Sequence, residues 1–274
     1  MERPTVHIQA YAKVNLSLTV HPPLPGGMHP ITSQMVRIAL CDDLEVIRLD
    51  DHALSRYAIV WHNDAPRHTE IDWPVTTDLA VRAHRLLEVK AGHPLPVQMK
   101  LEKRIPVGGG LGGGSADAAA MLKATTELFN LNLDLSEIAL DLGSDVPYLL
   151  HGGAANVQGV GEVVEPVQLE TMYLVIIIPE YSCSTDLVYK AFDQSSASES
   201  SEHQNDLLIP ACIVESRLGT DLESLRAITE QKIHLSGSGS TMFAICDNAE
   251  HAVTLAKKIE EHTELVSIAT QTRT

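Results

Sequence analysis

Apolar and polar residues alternate from Val6 to Val20 (VHIQAYAKVNLSLTV). This is the period-two pattern of a half-buried strand, and it predicts one long bent strand or two consecutive ones. The same reading places strands at Gln34–Leu40 and Leu44–Leu49, paired about a turn at Cys41-Asp42-Asp43, with further strands at Tyr57–Trp61 and Val97–Leu101. Spacing becomes helical after Thr76 or Thr77, either of which can cap a helix running to about Lys90. Ser115–Phe129 is rich in good helix formers. A shorter helix opens at Asp134 or Ser136 and closes near Gly143, followed by a tight connection at Ser144-Asp145-Val146-Pro147. Gly152–Glu165 reads as a hairpin with glycine turns.

Tyr173–Pro179 opens what reads as a second domain: a strand, a helix over Thr185–Asp193, and helical stretches at Asn205–Ser216 and Leu222–Glu230. His234–Cys246 is strand, glycine turn, strand; Ala249–Glu261 is an amphipathic helix; Leu265–Ala269 is a closing strand. The serine-rich Gln194–Gln204 is the best candidate for a mobile insertion. Strands alternating with helices, but including hairpins, predict the α+β class rather than a doubly wound sheet.

One stretch breaks every periodicity. Residues 108–114 hold six glycines in seven positions, between the strand ending at Leu101 and the helix beginning at Ser115. Exposed N–H groups at a helix N-terminus attract anions, so strand, glycine loop and helix point to a phosphate cradle. Two common cradles do not fit. A P-loop needs a lysine after its last glycine, where this chain has Ser115 directly after Gly114. A Rossmann unit wants an acidic residue about twenty positions on; Asp134 stands there, and it reads as a helix cap.

Composition narrows the partners. The chain has 274 residues, 44% hydrophobic and 20% charged, enough for one or two domains with a real core. A net charge of −16 argues against nucleic acid or an anionic membrane as partner, while leaving room for a small anion in a locally positive pocket. No apolar run has the length of a transmembrane helix, and the N-terminal residues resemble neither a signal nor a transit peptide. The four cysteines lie far apart without a C-x-x-C pair. These features predict a cytoplasmic protein with reduced thiols. The thirteen histidines, among them His62, His68, His84 and His93, show no metal-ligand spacing.

Three segments together carry a resemblance: Ala12-Lys13-Val14-Asn15-Leu16, the loop Pro106 to Ser115, and Leu235-Ser236-Gly237-Ser238-Gly239-Ser240. The chain resembles the GHMP kinases in all three, in order along nearly its whole length. Gly143 to Pro147, Gly159 to Glu162, Ser184 to Tyr189 and Asn205 to Leu207 narrow the resemblance to members acting on a cytidine-diphosphate-linked methylerythritol. The resemblance implies a two-domain α+β fold with the active site in the interdomain cleft. Residues 1–166 would form a ribosomal-protein-S5-like, ATP-binding domain, and residues 167–274 a ferredoxin-like domain completing the substrate cleft. It implies ATP as phosphoryl donor, Mg²⁺ as cofactor, and a monomer or weak homodimer.

Site roles carry over from the resemblance residue by residue. Asp145 matches the general base and Lys13 its partner. Asn15, Met28, His29, Tyr189, Ser238 and Gly239 match the substrate side. Pro106, Val107, Gly108, Gly109, Gly110, Leu111, Gly112, Gly113, Gly114, Ser115 and Ala116 match the ATP phosphate loop. Lys103 matches a basic residue beside the nucleotide, and Ser115 can offer its hydroxyl to Mg²⁺ or a phosphate. There are two departures. Met28 stands where the family usually has a tyrosine expected to stack on cytosine, and Asp78 where it commonly has asparagine.

Overall fold

The structure is a computed structural model that describes residues 3–195 and 204–273. Residues 196–203 of the serine-rich segment lie outside the described residues. The alternating N-terminal stretch forms one continuous strand, β1 (Thr5–Val20). The next two expected strands are also one: β2 (Ile31–Arg48) runs straight through Cys41-Asp42-Asp43 with no turn. Adjacent aspartates are poor strand formers, yet Asp42 is fully buried. Its Oδ1 accepts the backbone N–H groups of Arg104 (2.5 Å) and Ile105 (2.7 Å), so the carboxylate serves where a turn was expected.

The chain divides into two compact units. The first comprises Met1–Ala12, Leu40–Ile105 and Gly112–Gly152. Here the C-terminal half of β2 pairs antiparallel with β4 (Val97–Lys103), which pairs parallel with β3 (Arg56–Trp61). Helix α1 (Leu79–Ala91) packs beside α2 (Gly113–Phe129). The cap of α1 is Asp78 rather than a threonine: its Oδ1 accepts from Ala80 N at 2.9 Å, and the threonines lie in a short 3-10 turn at Val75–Thr77. Helix α2 starts two residues earlier than its helix-former pattern predicts, with Gly113 and Gly114 in its first turn. A Cβ at Gly113 would stand 2.9 Å from Ile105 Cγ2, so close packing rather than helix propensity selects glycine there.

Helix α3 (Leu135–Leu142) is capped by Asp134 and closed at Gly143, as expected. Val146 and Pro147, read from sequence as part of a tight connection, open a further short helix, α4 (Val146–His151). Pro147 is compatible with it because the first helical N–H groups have no intrahelical partner.

The second unit comprises Lys13–Ala39, Pro106–Leu111 and Gly153–Thr274. The N-terminal half of β2 pairs with β5 (Ala154–Gly159), which forms the expected hairpin with β6 (Val163–Val167). Then follow β7 (Tyr173–Ile178), α5 (Thr185–Gln194), α6 (Leu208–Val214), α7 (Ser216–Ile228), β8 (Ile233–Leu235), β9 (Met242–Cys246), α8 (Ala249–His262) and β10 (Val266–Arg273). Strand order β10-β7-β9-β8, all antiparallel, with helices between β7 and β8 and between β9 and β10, is the ferredoxin-like βαββαβ arrangement. Val175, Ile177, Met242 and Ala244 of the sheet and Leu218, Leu222, Leu255 and Ile259 of the helices share its core. Helix α7 begins six residues before the expected Leu222, because Glu215 caps it on Arg217 N.

Candidate active site

The glycine loop has a defined backbone. Gly108, Gly110 and Gly112 adopt positive φ (73°, 77° and 69°), alternating with Gly109 and Leu111, which do not. Alternation of left- and right-handed residues gathers N–H groups into an anion-binding concavity. Gly110 has the tightest surroundings: a Cβ there would collide with the Ser236 carbonyl oxygen and stand 3.2 Å from that of Gly239. Ser236 Oγ donates to Gly110 O (2.9 Å), and Thr241 N to Gly109 O (3.1 Å). The second glycine motif therefore backs this part of the loop, a role that spacing alone did not reveal. Within the same turn Ser238 Oγ shares a hydrogen bond with Thr185 Oγ1 (2.9 Å), and Gly239 packs on Leu235. Pro106 and Leu111 are buried and Val107 is exposed. Beyond the loop, the Ala116 N–H donates to Gly112 O (2.8 Å), opening α2, with Ser115 half-buried in its first turn.

Lys13 and Asn15 share one face of β1, as their two-residue spacing requires. Lys13 Nζ donates to Asn15 Oδ1 (2.7 Å), Asn15 Nδ2 to Ser33 Oγ (2.8 Å), and Ser33 Oγ to Ser17 O (2.6 Å). Lys13 and Asn15 are both nearly fully buried, and the Lys13 N–H donates to Leu111 O (2.9 Å). Gly237 closes over the pair, with a would-be Cβ 3.5 Å from Lys13 Nζ. Gly237 is fixed in turn by buried Asn205, whose Nδ2 reaches the carbonyls of Leu235 (2.9 Å) and Gly237 (2.8 Å).

Lys103 is 3% exposed, and its ammonium lies 2.6 Å from both Asp42 Oδ2 and Asp117 Oδ2. Burial alone would lower its pKa, but the facing carboxylates of Asp117 and Asp42 raise it above the ordinary lysine value. Burial lifts Asp117 well above the usual carboxylate range against the pull of Lys103. Asp117 Oδ1 is buried with no hydrogen-bond partner, whereas both Asp42 oxygens are satisfied.

Asp145 occupies the N-cap position of α4 with helical backbone angles (φ −84°, ψ −16°). Its carboxylate is not used for capping, and its carbonyl accepts from Leu149 N (3.0 Å). In the second unit, His29 Nε2 lies 2.8 Å from Asp193 Oδ1, with its ring 5.3 Å from that of Tyr189 and edge-on to Phe192. Met28 beside it is 61% exposed. Asp78 is committed to its own neighbourhood, one oxygen on Ala80 N and the other accepting from Trp73 Nε1 (3.3 Å). Among the described residues no group of three His, Cys, Asp or Glu side chains is placed to hold a metal ion. Ser115, a lone hydroxyl at a helix N-terminus, fits an ion carried in on phosphates rather than one caged by protein.

A glycine loop backed by a second Ser-Gly turn, with a buried pair of Lys13 and Asn15, is the arrangement expected from the resemblance to GHMP kinases, and comparison with known proteins bears out that class. The family described as "GHMP kinases N terminal domain" matches residues 78–153. The 4-diphosphocytidyl-2-C-methyl-D-erythritol kinase of Polaromonas naphthalenivorans is 34% identical, covering 89% of this chain and 87% of that protein. The enzyme of that name from Thermoanaerobacter pseudethanolicus is 33% identical, with 96% and 93% covered. A crystal structure of 4-(cytidine 5'-diphospho)-2C-methyl-D-erythritol kinase aligns with a TM-score of 0.79 at 30% identity, over 98% of this chain and 100% of that one. The chain belongs to the 4-diphosphocytidyl-2-C-methyl-D-erythritol kinase family. A homoserine kinase from Cytophaga hutchinsonii, 14% identical over 100% of this chain and 96% of its own, shares the fold at a TM-score of 0.71.

Proposed function

We propose that this chain transfers the γ-phosphoryl group of ATP to a hydroxyl of 4-diphosphocytidyl-2-C-methyl-D-erythritol. The observation that carries the reading is the glycine loop, with three left-handed glycines and its backbone carbonyls fixed by Ser236 and Thr241. Phosphoryl transfer through a loose transition state depends on positioning and charge neutralisation more than on covalent chemistry. The loop amides and the N-terminus of α2 supply fixed donors for the β- and γ-phosphates without reorganisation during the reaction. Mg²⁺, held by Ser115 and phosphate oxygens, would supply further charge neutralisation. Asp145 accepts the acceptor hydroxyl's proton, and the Lys13 ammonium, oriented by Asn15, stabilises the developing alkoxide. His29 and Tyr189 form part of the substrate side, with Asp193 fixing the imidazole.

The test is ADP release with the cytidylyl-methylerythritol substrate. Asp145→Asn should lower kcat about 10²- to 10⁴-fold, the usual contribution of a general base, with an unchanged melting temperature. Full turnover in that variant sinks the base assignment. Met28 favours a second reading, a GHMP kinase for another small alcohol. Activity on mevalonate, homoserine or a sugar, without activity on the cytidylyl substrate, would select it.

A further inference from the structure

Asp42, Lys103 and Asp117 bury three ionisable groups, at 0%, 3% and 1% exposure. Stability is a poor account of such a cluster, because apolar packing of the same volume is often no less stable than a buried ion network. What an ion network provides and an apolar cluster does not is direction, and these bonds join the chain segments that precede and follow the glycine loop in sequence. Lys103 is the last residue of β4, three positions before Pro106, and Asp117 lies in the first turns of α2, two positions after Ser115. One ammonium therefore ties the flank before the loop to the flank after it, at 2.6 Å on each side. Asp42, from the middle of β2, holds the other side of Lys103 and receives the N–H groups of Arg104 and Ile105, the two residues leading into the loop. Arg104 is held beside it, its guanidinium donating to Asp43 Oδ2 at 2.7 Å.

We propose that Asp42, Lys103 and Asp117 are positioning residues for the phosphate loop. They pre-set its amides for the nucleotide phosphates, and Lys103 does not itself contact a phosphate. The inference rests on the phosphate-loop reading above and assigns the lysine a different task from the nucleotide-side cation implied by resemblance.

The variants are Asp42→Asn, Lys103→Met and Asp117→Asn. Asp42→Asn keeps an oxygen for the two backbone donors, while an amide NH2 replaces the oxygen that accepts from Lys103, removing both the charge and that hydrogen bond. Each is assayed for kcat and for KM of ATP and of the cytidylyl substrate, well below its own melting temperature. The expected result is a KM for ATP raised at least fivefold in Asp42→Asn and at least tenfold in Lys103→Met, with the KM of the acceptor within twofold of wild type. A lysine that touched phosphate directly would behave oppositely, since removing a carboxylate partner would lower the ATP KM. A lowered or unchanged ATP KM in Asp42→Asn overturns the proposal. If Lys103→Met does not fold, the two asparagine variants decide by the same criterion. Gly110→Ala is run in parallel. An unchanged ATP KM there as well removes the phosphate-loop reading itself. A raised ATP KM there, with unchanged values in the cluster variants, removes only the positioning role.

Discussion

Gly110→Ala is the most incisive single change in this chain. The residue sits at φ +77°, where an alanine is strained by roughly 1–2 kcal/mol. Its new methyl would also collide with the Ser236 carbonyl oxygen, backbone that cannot rotate away as a side chain would. Relieving that contact displaces the loop from Ser236 and endangers the 2.9 Å bond from Ser236 Oγ to Gly110 O, a further loss of about 1 kcal/mol. Loss or misdirection of one amide bond to a charged phosphate costs about 1.5–3 kcal/mol, or roughly 10- to 150-fold in ATP affinity. The assay is ADP release at saturating acceptor and varied ATP, alongside thermal melts. Gly92→Ala is the matched control. It has nearly the same φ, +75°, with nothing within 4 Å of a Cβ, at the end of α1. The control should melt earlier yet keep its ATP KM, while Gly110→Ala should raise the KM at least tenfold. A folded Gly110→Ala protein with an ATP KM within twofold of wild type would refute the reasoning.

Further expectations concern single side chains. Lys13→Ala should lower kcat about 10²- to 10³-fold, the range for removing one preorganised charge stabiliser, in an assay at saturating ATP and acceptor. Met28→Tyr should lower the acceptor KM about fivefold, since a stacked ring contributes roughly 1 kcal/mol more than a thioether contact; an unchanged KM would place Met28 away from the base. Burial and the charge of Lys232 push His234, stacked on Phe243, down to about 4. The unfolded chain therefore takes up a proton near pH 6.5 that the folded chain refuses. Stability from this group is present above pH 6.5 and is lost as pH falls from about 6.5 to 4. The loss is at most about 3 kcal/mol, and smaller because the ring is only half-buried. Urea titrations at pH 7 and pH 5 should show it, and His234→Gln should flatten the difference.

The fold was largely legible because its elements announce themselves locally. β1 alternates cleanly, Asp134 and Gly143 bracket α3, and the glycines at 159 and 161 turn the β5–β6 hairpin. One failure has a tertiary cause. Cys41-Asp42-Asp43 looks like a turn because free aspartates favour turns, but Asp42 is neutralised by Lys103 and saturated by two backbone donors sixty residues away in sequence. Only tertiary structure supplies those partners. Asp145 does lie in a turn, as read, but the helix opened by Val146 and Pro147 was missed because it has too few residues to show a period.

The candidate site divides along the same line. Local pattern was enough to place the glycine loop before a helix and Lys13 with Asn15 on one strand face, since these are matters of local backbone; their roles came from the resemblance. What could not be read was the support. Ser236 and Thr241 grip the carbonyls of Gly109 and Gly110, Asn205 fixes Gly237 over the lysine, and Asp193 holds His29. Each holds a partner far off in sequence, so its own neighbourhood does not show which group it fixes. Lys103, matched by resemblance to a basic residue beside the nucleotide, gains its carboxylate partners only in the fold. A lysine near a phosphate loop invites the role of phosphate ligand, and its charge already answers two carboxylates. If Lys103 only positions the loop, as proposed, the protein's own positive character there comes from oriented amides and the helix N-terminus, which cost no buried charge and cannot rotate away.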